Sequence, residues 1–145
     1  MKNKMLIKYN KKQDNIRSLF SREEVVIAYV FGSLVKNKIS SLSDIDFAVY
    51  LDEDLSDKKK YNIYMELLNN LISVLGDKID LVLMNSSELL MNFNIIREGK
   101  VIFERSETEK VLVESKIMNK YLDINYYHKR HVDIQLKRME KAGLK

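Results

Sequence analysis

The stretch that decides the fold is VVIAYVFGSLVKNKISSLSDIDFAVYL, which runs from Val25 to Leu51. It begins and ends with runs of β-branched and aromatic residues, Val25 to Phe31 and Ile45 to Leu51. Such runs are typical of buried strands. The polar segment between them begins with Gly-Ser and ends with Ser-Asp-Ile-Asp. The pattern predicts two core strands joined by a loop or a short helix.

The polar segment carries a spaced motif of glycine, serine and two aspartates. Gly32 and Ser33 follow the first strand directly, and ten residues separate Ser33 from Asp44. Asp46 stands two positions later, at the head of the second strand. Successive side chains of a strand point to opposite faces, so Asp44 and Asp46 are expected on one face, with Ile45 directed into the core. Two carboxylates are therefore predicted to share one small volume.

A third aspartate, Asp80, begins the next predicted strand, beyond one predicted helix. If that strand lies beside the second one, Asp80 joins Asp44 and Asp46. Like charges held this close are relieved by a raised pKa on one of them or by a cation between them. Oxygen ligands of this kind favour Mg²⁺ or Mn²⁺. The three aspartates therefore predict a site for divalent metal ions.

Gly32 and Ser33 add a place for phosphate at the same end of the sheet. Glycine lets the backbone come close to a ligand, and a serine that opens a helical turn offers its amide and hydroxyl to phosphate oxygens. Taken singly, each part of the motif is more often a turn or a loop that enters a strand. Taken together, the parts predict an in-line displacement at the α-phosphorus of a nucleoside triphosphate, with pyrophosphate as the leaving group.

The remaining elements are predicted from periodicity and capping residues. A stripe on the third helix is expected to contain Tyr61, Tyr64, Met65, Leu68, Leu71, Ile72 and Leu75, with Gly76 as its cap. The other predicted elements are a helix over Asn10 to Phe20, a strand over Ile79 to Met84, a helix from Ser86 or Ser87 to Gly99, a strand over Val101 to Glu104, and one or two helices that begin at a Ser106 and Glu109 capping box.

These elements predict an α+β fold of mixed α/β character. A small mixed β-sheet is flanked by helices and followed by a C-terminal helical extension. We expect one domain over residues 1–145, with a core at about 10–104 and a helical segment at about 106–140. Val111, Met118, Leu122, Val132, Leu136 and Met139 are the apolar candidates of that segment.

Composition narrows the possible chemistry. The chain has 145 residues, of which 46% are hydrophobic, and this is enough for one core. The chain has no cysteine, which excludes disulfides, thiolate metal sites and cysteine nucleophiles. The formal net charge of +4 is a mild excess and gives no strong nucleic-acid signal. No membrane-spanning run and no signal-peptide pattern is apparent, so a cytoplasmic location is expected.

At the motif residues the sequence resembles the minimal nucleotidyltransferases of the DNA polymerase beta superfamily. The stretches FGSLVKNKISSLSDIDFAVYL, DLVLMNSSELL and IIREGKVIFE carry the resemblance, which covers most of Val25 to Glu104. It implies a nucleotidyltransferase fold and assigns a role to each motif residue. Gly32 and Ser33 would hold the nucleotide phosphates, and Asp44 and Asp46 would bind both of two metal ions. Asp80 would complete the catalytic metal site and help to deprotonate the acceptor hydroxyl.

The length and the C-terminal helical segment resemble the MntA-type antitoxins of HEPN/MNT toxin-antitoxin systems. This resemblance implies transfer of AMP from ATP to a tyrosine of a cognate HEPN RNase toxin, which would be the protein partner. Three alternatives remain open. The protein could modify a small molecule such as an aminoglycoside, neutralise its partner by binding without catalysis, or act on RNA ends. The last would need a clearer basic groove.

Histidines and tyrosines near the C-terminus form a weaker pattern. His128 and His131 stand three apart on a predicted helix, where a solvated face is the simplest interpretation. Tyr121, Tyr126 and Tyr127 lie beside several lysines and arginines. They are expected to be core tyrosines, although a binding surface for a protein or a nucleic acid is the alternative.

Overall fold

The structure is a computed structural model that describes residues 4–32, 35 and 44–143. Within these residues it contains five helices and four strands, which confirms the predicted α+β class. In chain order the elements are α1 (Lys4–Lys11), α2 (Gln13–Phe20), β1 (Val25–Phe31), β2 (Ile45–Leu51), α3 (Asp57–Leu75), β3 (Ile79–Leu83), α4 (Leu89–Glu98), β4 (Lys100–Glu104) and α5 (Glu107–Lys141).

The four strands form one mixed sheet in the order β3-β2-β1-β4. Strand β1 pairs antiparallel with both β2 and β4, whereas β2 and β3 run parallel. The parallel pair needs a crossover connection, which α3 provides. Strands β1 and β2 have the bounds that the sequence predicted, because runs rich in β-branched and aromatic residues suit central strands that are buried on both faces.

The sheet separates two apolar clusters. On one face, alternate residues of β2 (Ile45, Phe47 and Val49) pack with α1, α2 and α3. On the other face, Ala48 and Tyr50 pack with α4 and α5. All of these side chains are buried. The sheet is therefore the middle layer of three, and its second face is the one that Asp46 shares with Ala48 by strand alternation.

Helix α3 buries Leu71 and Leu75 of the predicted stripe, together with residues that were not predicted. The buried residues are Lys60, Ile63, Leu67, Leu71 and Leu75. Of the predicted set, Tyr61 is 59% exposed and Ile72 is 39% exposed. The prediction was wrong for these two because the helix is apolar on more than one side, and its position on the sheet selects which side is covered. Gly76 has the positive φ, 90°, that was expected of the residue after the helix.

Two predicted helix starts differ from the structure, and the predicted capping box of α5 is only half formed. The predicted helix over Asn10 to Phe20 begins at Gln13, and α1 precedes it as a separate helix. Helix α4 begins at Leu89 with Glu88 as its N-cap, so neither proposed serine caps it. The Ser106 hydroxyl does cap α5, accepting a hydrogen bond from the Glu109 amide at 3.0 Å. The Glu109 carboxylate pairs with Arg105 instead of completing the capping box.

Helix α5 is a single helix of 35 residues. Ile117 is its buried residue, whereas all six predicted apolar candidates are exposed. Tyr121 stacks on Phe93 of α4 at 3.8 Å between ring centroids. Beyond that contact every described residue of α5 is exposed, including both histidines, Tyr126 and Tyr127. The expectation of core tyrosines was therefore wrong for that pair. None of the described helices is long and apolar enough to cross a membrane.

Candidate active site

Asp46 and Asp80 lie side by side on neighbouring strands. In the parallel pairing of β2 with β3, Asp46 is the register partner of Asp80, and Ile45 is the partner of Ile79. Both isoleucines are buried in the cluster on the α3 side of the sheet. Because register partners of paired strands share a face, the two aspartates lie together on the opposite face. The structure brings together two of the residues that the sequence singled out.

Asp44 is the last residue before β2, and its side chain is exposed. The burial of Ile45 between two polar neighbours is the alternation that the sequence predicted for this strand head. The negative charge of Asp44 lies close enough to act on Asp46. The three aspartates thus form one electrostatic group at the start of β2 and β3.

Gly32 closes the site from the side of β1. It follows Phe31, the register partner of Asp46 in the antiparallel pairing of β1 with β2. Its φ is 75°, a backbone conformation that favours glycine. A methyl group at this position would overlap the Asp46 Oδ2 atom. The Asp46 carboxylate can therefore occupy the space beside residue 32 only because glycine has no side chain.

The environment of Asp46 opposes its negative charge. Burial raises the pKa of Asp46, and the negative charges of Asp80 and Asp44 raise the pKa further. Among the residues that the structure describes, no basic side chain contributes to this shift. A carboxylate in this position is stabilised by a cation, and the donor set of carboxylate oxygens suits a hard divalent ion. The chemistry of the three residues thus fits the predicted metal ions.

The carboxylates are not arranged as a finished chelate. Among the residues that the structure describes, no three His, Cys, Asp or Glu side chains form a group that could hold a metal ion as they stand. One oxygen of Asp80, Oδ1, accepts a hydrogen bond from the Leu81 amide at 3.0 Å. The metal site stays a prediction, as does the phosphate contact of Ser33, which lies outside the described residues.

Tyr64 is a neighbour of the site that the sequence indicated only as a helix-stripe residue. Its hydroxyl donates a hydrogen bond to the Leu81 carbonyl oxygen at 2.8 Å. Burial raises the pKa of Tyr64, and the charge of Asp80 raises it further. Tyr64 thereby ties α3 to β3 one residue beyond Asp80. A contact between elements of this kind has no sequence signal, because it depends on how α3 lies on the sheet.

Comparison with known proteins identifies relatives by sequence. Residues 14–108 match the family described as Polymerase beta, Nucleotidyltransferase. A curated relative is Protein adenylyltransferase MntA of Aphanizomenon flos-aquae (strain 2012/KM1/D3), which is 28% identical over 115 residues. That match covers 72% of this chain and 73% of the relative. The matched family region includes all five motif residues.

Solved structures share the fold. One match is a chain of the crystal structure of a toxin-antitoxin with AMP-PNP, with a TM-score of 0.66 and 22% identity, covering 86% of this chain and 98% of that chain. Another belongs to a tri-AMPylated Shewanella oneidensis HEPN toxin in complex with MNT antitoxin, with a TM-score of 0.58 and 20% identity. It covers 91% of this chain and 98% of that chain. At these identities the likeness establishes the three-dimensional fold.

Proposed function

Because residues 14–108 match its family profile, the chain belongs to the polymerase beta nucleotidyltransferase family, and we propose that it transfers AMP from ATP to a protein tyrosine. The proposed acceptor is a tyrosine of a cognate HEPN RNase toxin, which makes the protein an antitoxin. A curated relative carries the name protein adenylyltransferase. A solved structure with the same fold contains an AMPylated HEPN toxin. These relatives support the choice of AMP and of the acceptor class.

The pairing of Asp46 with Asp80 beside Gly32 is the observation that carries the proposal. Asp46 and Asp80 are in register on one face of the sheet, and the pKa of Asp46 is raised. Two like charges in this arrangement destabilise the fold unless a cation binds between them. Structural aspartates are normally hydrogen-bonded or paired with a basic residue. Asp80 accepts a hydrogen bond from the Leu81 amide, whereas Asp46 forms no ion pair within the described residues. The pair resembles the ligand set that nucleotidyl transfer requires.

Each motif residue then has a role in the proposed reaction. Asp44, Asp46 and Asp80 would hold two Mg²⁺ or Mn²⁺ ions, which when bound supply positive charge to the phosphates and to the leaving pyrophosphate. Gly32 and Ser33 would orient the triphosphate through backbone amides and the serine hydroxyl. Asp80 would accept the proton of the tyrosine hydroxyl as its oxygen attacks the α-phosphorus. The bond from that phosphorus to the bridging oxygen breaks, and pyrophosphate leaves.

The exposed apolar residues of α5 support a protein partner. Large hydrophobic side chains more than 40% exposed recur along the whole helix: Val111, Leu112, Met118, Leu122, Ile124, Tyr126, Tyr127, Val132, Ile134, Leu136 and Met139. Residues 122–141 extend about 30 Å beyond the stacking contact of Tyr121, at about 1.5 Å per residue. Exposed apolar surface of this extent is typical of protein-protein contacts.

The same helix favours a second candidate function. The protein could neutralise its partner by binding alone, with the nucleotidyltransferase fold serving as a scaffold. Both candidates require the partner to bind, and they differ in whether Asp44 and Asp46 are needed. Charge-removing substitutions at these two positions therefore distinguish the candidates, because they preserve side-chain size.

The test is a transfer assay with radiolabelled ATP and a candidate HEPN toxin. The wild type should label a toxin tyrosine in the presence of Mg²⁺ and should lose this activity in EDTA. The Asp44→Asn, Asp46→Asn double variant should fold and bind the toxin but should neither label it nor restore growth. The matched control is Asp14→Asn with Asp54→Asn, which removes two exposed charges elsewhere. If the site variant rescues growth as well as the control, the enzymatic proposal is wrong and neutralisation by binding is correct.

A further inference from the structure

The backbone of Leu81 lies at an open edge of the sheet. Strand β3 is the first strand in the sheet order, and β2 is its neighbour on one side. The Lys78 carbonyl oxygen accepts a hydrogen bond from the Ile45 amide at 3.1 Å. The Met84 amide donates one to the Val49 carbonyl oxygen at 2.9 Å. Successive residues of a strand direct their N–H and C=O groups to alternate sides. Leu81 stands three positions from both Lys78 and Met84, so its own N–H and C=O groups point away from β2.

Both edge groups of Leu81 form hydrogen bonds with side chains. Its N–H donates to Asp80 Oδ1 at 3.0 Å, and its C=O accepts from the Tyr64 hydroxyl at 2.8 Å. The Leu81 side chain is 2% exposed and packs in the apolar cluster on the α3 side of the sheet. Edge groups without such partners would be available to water or to another strand. Leu81 therefore links the carboxylate of Asp80 to the hydroxyl of Tyr64.

The hydrogen bond from Leu81 orients the Asp80 carboxylate. It engages Oδ1, and no described residue donates a hydrogen bond to the second oxygen, Oδ2. Because one oxygen is held by the backbone, rotation of the carboxylate is restricted. A carboxylate that binds a metal ion or accepts a proton has to be held in its productive geometry, and small displacements are costly. The geometry of Asp80 thus depends on the position of the Leu81 amide.

Tyr64 is placed to hold that amide in position. Its ring packs against the apolar cluster on the α3 side, and its hydroxyl is the group that bonds to the strand. Strand β3 is five residues long and pairs with another strand on one side, so a hydrogen bond from α3 restrains it on the other side. A phenylalanine at this position would keep the ring packing and lose the restraint. The hydroxyl of Tyr64 is therefore the atom group whose role can be tested alone.

We propose that Tyr64 is a positioning residue for Asp80 in nucleotidyl transfer. The inference rests on the proposed function, in which Asp80 completes the catalytic metal site and accepts the proton of the acceptor hydroxyl. Tyr64 touches neither the nucleotide nor the acceptor, and it acts through the backbone of Leu81. Loss of its hydroxyl should therefore slow the chemical step and leave the use of ATP unchanged, since Gly32 and Ser33 would still orient the triphosphate.

Steady-state kinetics of AMP transfer test this role. Tyr64→Phe should lower kcat by about 2-fold to 12-fold, the range of a typical hydrogen bond, with an unchanged KM for ATP. Tyr61→Phe makes the same change on α3 at a side chain that is 59% exposed, and it should keep full activity. Tyr50→Phe removes a hydroxyl bond to Glu53 at the other end of β2, and it should lower the melting temperature but not kcat. Unchanged kcat in Tyr64→Phe, or an equal loss of kcat in Tyr50→Phe, would overturn the inference.

Hydrogen exchange of the Leu81 amide, measured by nuclear magnetic resonance, gives a readout that does not depend on AMP transfer. Tyr64→Phe should speed this exchange in the metal-free protein, because the amide is held less firmly against Asp80. In the Asp80→Ala background the acceptor is absent, so Tyr64→Phe should cause no further change there. No acceleration, or equal acceleration in both backgrounds, would mean that Tyr64 does not act through Asp80, and the inference would be wrong. If the wild type transfers no AMP to a candidate toxin, the proposed function fails, and the exchange result still decides whether Tyr64 orients Asp80.

Discussion

Gly32→Ala should separate the backbone role of this glycine from its role beside Asp46. At a φ of 75° an alanine costs about 1 to 2 kcal/mol relative to glycine. The added methyl group would also overlap Asp46 Oδ2. The carboxylate is the free end of a side chain and can rotate away, so the overlap should displace Asp46 without a large further loss of stability. A displacement of about 1 Å in a catalytic group lowers activity by about 100-fold.

Gly76→Ala is the matched control. Gly76 also has a positive φ, 90°, but a methyl group there would meet its nearest neighbour, Lys8 Nζ, at 3.8 Å, which is an ordinary contact. Gly32→Ala should lower the melting temperature by about 2 to 8 °C. Gly76→Ala should lower it by at least as much, because the φ of 90° and ψ of −173° at Gly76 lie in a region that glycine almost alone occupies. Only Gly32→Ala should reduce AMP transfer, measured as kcat/KM with labelled ATP.

Two results would refute this reasoning. If Gly32→Ala kept full transfer activity while losing as much stability as Gly76→Ala, the contact with Asp46 would have no catalytic meaning. If Gly32→Ala lost far more stability than the control, the backbone would have moved to relieve the overlap, and not the Asp46 carboxylate. Thermal unfolding monitored by circular dichroism, alongside the kinetic assay, distinguishes these outcomes.

Three further predictions concern charge, phosphate binding and the core. The fold raises the pKa of Asp46, so protonation of this side chain stabilises the metal-free protein. The stabilisation is complete at pH values below the ordinary Asp pKa of about 3.9 and is lost as the pH rises through the raised pKa. Asp46→Asn should therefore raise the metal-free melting temperature at pH 7 but not at pH 3, and it should reduce the stabilisation by Mg²⁺; an unchanged Mg²⁺ effect would contradict the metal site. Ser33→Ala should lower kcat/KM by about 5-fold to 150-fold, because a hydroxyl contact to phosphate contributes about 1 to 3 kcal/mol while the backbone amides remain; unaltered kinetics would make Ser33 a turn residue. In urea unfolding, Leu71→Ala should cost about 2 to 5 kcal/mol and Ile72→Ala less than about 1 kcal/mol, since the first side chain is fully buried and the second is 39% exposed; equal losses would favour the stripe predicted from sequence.

Local patterns in the sequence were sufficient for the strands and for the choice of candidate residues. A strand buried on both faces needs apolar residues at nearly every position, and Val25 to Phe31 and Ile45 to Leu51 satisfy this requirement. A lone polar residue in such a run, such as Asp46, is conspicuous for the same reason. The Ser106 cap could also be predicted, because an N-cap hydrogen bond joins residues three apart in the chain.

The phase of α3 and the neighbours of Asp46 depend on packing between distant elements. Ile63 and Tyr61 are both compatible with an amphipathic helix, and the position of α3 on the sheet buries the first and exposes the second. The side chain of Lys60 is buried because it reaches Glu53, which lies beyond the end of β2. Sequence spacing does not contain either relationship.

The strongest example is the pairing of Asp46 with Asp80. The sequence placed each aspartate at the head of a strand, but their proximity requires β3 to pair in parallel with β2 in one register. A slip of one residue would turn Asp80 to the other face of the sheet, because side chains alternate along a strand. That register is set by the burial of Ile45 and Ile79 on the opposite face. The sequence therefore determines which residues can carry the chemistry of the site, whereas the packing of the core determines that their carboxylates lie side by side.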